Sequence, residues 1–145
     1  MKRFVALATV VFAAALPPAA MSGASADRST LTAHSSRFGQ ILFDGTGFVL
    51  YAFTKDPRGR SACYGACAAA WPPYLVRSAP HAGARVKSKL LGTTRRRDGK
   101  LQVTYAGRPL YYYVGDRAPN EIRCQNVDEF GGLWLVARPN GTLVR

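Results

Sequence analysis

The chain reads as an all-β protein of mostly antiparallel hairpins, a small sandwich or barrel-like fold of two diverged half-repeats with one short helix near residues 63–71. Three observations predict this. Segments of strand composition are separated by turn signals such as Asp44-Gly45-Thr46-Gly47, Asp98-Gly99 and Asn140-Gly141, where glycine supplies the positive φ that tight turns need. Helical periodicity is scarce, and nothing alternates strands with long helices as a βαβ arrangement requires. The pattern Tyr-x-aromatic-x-x-Asp also occurs twice, as Tyr51, Phe53, Asp56 and as Tyr111, Tyr113, Asp116, at a constant offset of 60 residues.

In chain order, Lys2 and Arg3, an apolar run from Phe4 to Leu16, Pro17-Pro18 and the triplet Ala24-Ser25-Ala26 read as a secretory signal at 1–26, cleaved after Ala26. The apolar run is shorter than the ~20 residues of a spanning helix. No later stretch is apolar enough to cross a bilayer, so an exported protein, periplasmic or extracellular, is expected. Residues 27–37 are polar and rich in Ser and Thr, and are expected to form a flexible leader. Residues 38–145 then make a single domain, with half-repeats at about 38–76 and 85–137.

Within that domain GQILFD (39–44) and GFVLYAF (47–53) flank the first turn. KLLGTT and KLQVTY flank Arg97-Asp98-Gly99, and LQVTY continues through Ala106-Gly107 into RPLYYYV. GLWLVAR and TLVR flank Pro139-Asn140-Gly141. The helix candidate is SACYGACAAAW (61–71), favoured by alanine and stopped by Pro72 and Pro73.

The repeated motif has a structural reading. Alternate residues on a strand share a face, so Tyr51 and Phe53 are expected to point together into the core, as are Tyr111 and Tyr113. Each Asp then stands where its strand must end, Asp56 before Pro57 and Asp116 before Arg117-Ala118-Pro119. An aspartate there accepts hydrogen bonds from backbone N–H groups downstream. The match extends to Gly47 and Gly107, and each half carries one tryptophan, Trp71 and Trp134. A surface of Tyr, Trp and Asp that holds sugars or cations is the competing reading.

The formal charge is +12, and without Lys2 and Arg3 it is +10. In an exported protein this favours anionic cell-envelope polymers or lipid headgroups as partners rather than nucleic acid. The one dense run, Arg95-Arg96-Arg97, is expected to lie exposed at a hairpin tip.

GFVLYAFTKD, CYGACAAAWPP, QVTYAGRPLYYYVGD and FGGLWLV, in that order, resemble a bacterial family of lipoproteins and secreted repeats of unknown function. The resemblance spans roughly residues 38–137 and implies that Tyr51, Phe53, Asp56, Tyr111, Tyr113 and Asp116 are its signature positions, with no catalytic role attached. Many members carry a lipobox cysteine after the signal. Here no cysteine precedes Cys63, so the protein is expected to lack a lipid anchor.

Chemistry centres on Cys63 and Cys67. Four residues apart on a helix or turn, they fit a local disulfide in an oxidising compartment. Cys124 is left over as a free thiol or an interchain link. The alternative is a copper or thiol-redox site on Cys63 and Cys67, with a third ligand from His34, His81 or Cys124. No G-x-S-x-G, H-E-x-x-H or C-x-x-C-H pattern occurs, so no enzyme activity and no cofactor are expected. The reading is a secreted envelope protein of undefined molecular activity.

Overall fold

The computed structural model describes residues 27–145, and the expected signal at 1–26 lies outside them. In chain order the elements are β1 (Thr30–Ser36), β2 (Gly39–Asp44), β3 (Tyr51–Phe53), α1 (Ala66–Ala70), β4 (Leu75–Val76), β5 (His81–Ala82), a 3-10 turn (Ser88–Leu90), β6 (Leu91–Arg95), β7 (Leu101–Tyr105), β8 (Arg108–Tyr111), β9 (Val127–Glu129) and β10 (Gly132–Val136). The protein is mostly β, with one short helix among the described residues. A three-stranded sheet runs β2-β1-β5, and a seven-stranded sheet runs β4-β7-β8-β3-β10-β9 with β6 on β7. Every named pair is antiparallel except β1 with β5. The larger sheet ends at β9 without pairing back, so it does not close into a barrel.

The stretch expected to be a flexible leader is instead largely strand. β1 pairs with β2 from Leu31↔Asp44 to Ser36↔Gly39. Leu31 and Ala33 are buried while their neighbours are only partly so, the period-2 pattern of a half-covered strand. Two apolar positions among hydroxyl residues were too few to announce it.

The first hairpin turn forms as expected. Asp44 Oδ1 accepts from the backbone N–H groups of Thr46 (2.9 Å) and Phe48 (3.0 Å). Beyond it only Phe43 and Val49 pair, and by Tyr51 the chain has entered the other sheet between β8 and β10. The β6–β7 hairpin pairs along its whole length, and the β7–β8 hairpin forms with Thr104↔Pro109 and Tyr105↔Arg108 next to its turn. The last turn, at Pro139–Gly141, closes on a single bridge, Ala137↔Leu143. The helix is shorter than expected: Gly65 starts it in the left-handed region (φ 56°), and Ser61–Tyr64 before it is not helical.

The larger sheet is covered on both faces. Tyr51, Phe53, Tyr111, Trp134 and Val136 pack with Ile41, Phe43 and Trp71 on one side. Leu50, Leu110, Val103 and Tyr105 pack with Leu31, Leu42 and Tyr74 on the other. A sheet buried twice needs continuous apolar runs rather than alternation, which accounts for FVLYAF, PLYYY and LWLVA.

Candidate functional site

The two motifs meet at the centre of the larger sheet. Tyr51 on β3 and Tyr111 on β8 are direct cross-strand partners, and both are fully buried. Each hydroxyl donates to the aspartate of the opposite motif: Tyr51 Oη to Asp116 Oδ2 at 2.7 Å, and Tyr111 Oη to Asp56 Oδ2 at 2.7 Å. Each aspartate also holds its own loop, Asp56 accepting from the Ala62 N–H (2.7 Å) and Asp116 from the Arg123 N–H (2.9 Å). The turn role expected of the carboxylates is present, six or seven residues downstream. The exchange of tyrosines between motifs was not foreseen.

The same crossing recurs in the aromatic column beside this pair. Phe53 stacks on Trp134 (4.2 Å between ring centroids) and Trp134 on Trp71 (4.0 Å), while Tyr113 lies tilted by 36° against Trp71 (4.7 Å). The motif aromatic of each half thus lies on the tryptophan of the other, and the two tryptophans face each other. Tyr51 and Tyr111 sit edge-on to Trp71 and Trp134 respectively. Two residues past each tryptophan, Pro73 pairs with Tyr111 and Val136 with Tyr51. Gly47 and Gly107 both have positive φ (91° and 75°). Their carbonyls accept from the turn after the opposite aspartate, at Asn120 N–H (2.9 Å) and Gly59 N–H (2.7 Å). A Cβ at Gly47 would come within 3.1 Å of Pro119 Cβ, so the close approach adds a second reason for glycine.

Burial sets the ionisation of this centre. Desolvation pushes the Asp56 carboxyl up to about 6, against the lowering effect of its bonds to Ala62 and Tyr111 and of nearby Arg96. Asp116 is raised for the same first cause, and both tyrosine hydroxyls are pushed up by burial. The two carboxylates share no hydrogen-bond partner, and each accepts from the tyrosine of the opposite half and from a backbone N–H of its own loop. Four of the six side chains of the repeated motif are buried, with Tyr113 and Asp56 partly covered. Nothing here presents an open sugar-binding face.

Cys63 and Cys67 form a disulfide with Cα atoms 5.3 Å apart, and Cys124 is free. Cys63 directly follows Ala62, and Cys124 directly follows Arg123, the two residues whose N–H groups hold the aspartates. Cys124 is therefore the second-half counterpart of Cys63, in a loop with no equivalent of Cys67. The bonded pair offers no thiolate. His34 lies on β1 with its ring stacked on Phe43 at 3.6 Å rather than in a leader. His81 starts β5. Among the described residues, no group of three metal-binding side chains gathers.

The arginine run departs from expectation. Arg95 and Arg97 are exposed, but Arg96 is only 4 % exposed. Its Nη1 donates to Ser61 Oγ (2.9 Å) and Gln102 Oε1 (2.7 Å), and its Nη2 to the Cys63 carbonyl (2.8 Å). Arg96 directly follows β6, and its N–H still bonds the Lys100 carbonyl (2.9 Å), so alternation carried one residue past the strand sets it on the face opposite Arg95. Ser61 Oγ lies 2.8 Å from Tyr111 Oη, which ties Arg96 to the motif centre. On the outer side of this network, Arg60, Arg95 and Arg97 join Arg96 in lining an open cleft of about 630 Å³ with Tyr64 in its wall.

A family model described as a secreted repeat of unknown function matches the chain at residues 33–74 and again at 92–138. Each matched segment contains one motif and one of the stacked tryptophans. No curated protein and no solved structure matches.

Proposed function

The chain belongs to the family of secreted repeats of unknown function, and on that premise we propose a non-enzymatic cell-envelope protein whose interlocked halves form a rigid scaffold for a basic, anion-binding surface. One observation carries this reading: the Tyr–Asp exchange consumes the motif's chemistry inside the fold. Tyr51, Tyr111, Asp56 and Asp116 are each engaged with the opposite half, so activity falls to the surface. That surface carries a formal charge of +10 over residues 27–145, from the +12 of the chain less Lys2 and Arg3. Among the described residues, no helix is long and apolar enough to cross a membrane. Contact with anionic envelope polymers or lipid headgroups by charge is weakened by added salt.

Cosedimentation of the protein with cell-wall and membrane fractions at low and high ionic strength tests the reading. Retention at low salt and release at high salt is expected, and no retention at low salt would remove the envelope partner. The copper alternative needs thiolates at Cys63 and Cys67, which their disulfide gives only on reduction, and a thiol-redox role would use that disulfide as its oxidised state. Metal analysis with a thiol count separates the two. One free thiol per chain and no copurifying copper are expected, whereas three thiols with bound copper would favour the alternative.

A further inference from the structure

The loops that follow the two motif aspartates are equivalent in the scaffold but differ in how their arginines are paired. After Asp116, Glu121 pairs with Arg123 at 2.9 Å and also accepts from the Arg117 backbone N–H, so that loop carries its own carboxylate counter-charge. After Asp56, the equivalent loop lies against the β6–β7 hairpin. Arg60, Arg95, Arg96 and Arg97 converge there on one cleft, and none of the residues lining it is acidic. The guanidinium groups of Arg96 and Arg97 lie 4.3 and 3.9 Å from the centre of the Tyr64 ring, which holds two of the four cations in place. Arg96 is buried on neutral partners, and its buried Nε has no hydrogen-bond partner, lying 4.0 Å from Asp98 Oδ2. Asp98 at the hairpin tip and Asp56 behind Ser61 are the nearby carboxylates, so the cleft keeps an excess of positive charge.

We propose that this cleft is a binding site for phosphoryl groups of a phosphate-bearing polyanion. Guanidinium forks match the oxygen geometry of phosphate, and a fixed cluster of them is worth more than the same charge spread over a surface. A single added carboxylate would leave part of this excess uncompensated, whereas successive phosphoryl groups along a chain match it. Tyr64 and the buried Arg96 hold the cluster before the ligand arrives, which lowers the ordering cost of binding. The inference deepens the envelope reading and rests on it for the source of the polymer, while the site itself follows from the cleft.

The test is titration calorimetry of the folded protein with linear inorganic polyphosphate, and with a polycarboxylate of equal charge density as comparator. The double variant Arg60→Gln/Arg97→Gln removes two exposed cleft cations, and Arg117→Gln/Arg145→Gln removes two outside it. The cleft variant is expected to bind polyphosphate about tenfold more weakly than the parent. The outer variant should change much less, and the polycarboxylate should bind more weakly than polyphosphate. Equal weakening in both double variants, equal affinity for the two polymers, or no polyphosphate binding by the parent would each overturn the site. If polyphosphate selects the cleft but envelope fractions are not retained, the envelope reading falls and the site stands. If envelope fractions are retained and the cleft variant is unaffected, the site falls and the envelope reading stands.

Discussion

Tyr51 and Tyr111 could not be read as hydrogen-bond donors from their sequence alone, because spacing reports which face a side chain takes and not which partner it meets. What was legible was the shared face of each aromatic pair and the turn duty of each aspartate. The cost of placing those aspartates inside is visible in Asp56, whose carboxyl is pushed up to about 6 from an ordinary value of 3.8, first by desolvation. The folded state therefore holds this proton more tightly than the unfolded state between about pH 4 and 6. Stability from this group falls as pH rises through that window, and acidification from 7 to 5 relieves the burial of the charge. Urea unfolding at pH 5 and 7 is expected to show a stability gain on acidification that is smaller in Asp56→Asn, and an identical pH response in the two proteins would contradict it. Arg96 was misread because its two exposed neighbours made the run look like a solvated tip. Its position directly after β6, where alternation runs one residue past the strand, separates the buried middle residue from them.

At the scale of elements, the hairpins that rest on local turn chemistry were readable and those that rest on tertiary pairing were not. The β6–β7 and β7–β8 pairs follow from Asp98-Gly99 and Ala106-Gly107. In contrast β4, β5 and β9 have two or three residues each, too few to carry a period. β3 leaves its expected partner β2 because β8 and β10 offer it two buried edges. The column of rings Phe53, Trp134, Trp71 and Tyr113 binds these elements together. Phe53 is 3 % exposed, so Phe53→Ala is expected to cost about 3–5 kcal/mol in chemical denaturation, from lost burial plus the cavity it leaves. Tyr113, only partly buried at the other end of the column, should cost clearly less when replaced by alanine. Equal losses at both ends would argue against the burial asymmetry.

Over the whole molecule, the two repeats are not neighbouring modules but interlocked halves. Tyrosine to aspartate, aromatic to tryptophan, glycine carbonyl to turn and post-tryptophan strand to motif strand all cross from one half to the other. The repeat was plain at an offset of 60 residues, but crossing was not, because two independent modules would carry the same repeat. Each half separately lacks its aspartate acceptor, its stacking tryptophan and a strand edge. Residues 27–76 and 85–145 expressed alone are therefore expected to show no cooperative unfolding by circular dichroism, and a melting transition in either fragment by itself would contradict interlocking. The most direct measurement of the crossing is a pair of double-mutant cycles on folding stability. Tyr51→Phe combined with Asp116→Asn should show a coupling of about 1–2 kcal/mol, while Tyr51→Phe combined with Asp56→Asn should show almost none. Strong coupling of Tyr51 to Asp56, with none to Asp116, would mean that each motif closes on itself and that the halves are not exchanged.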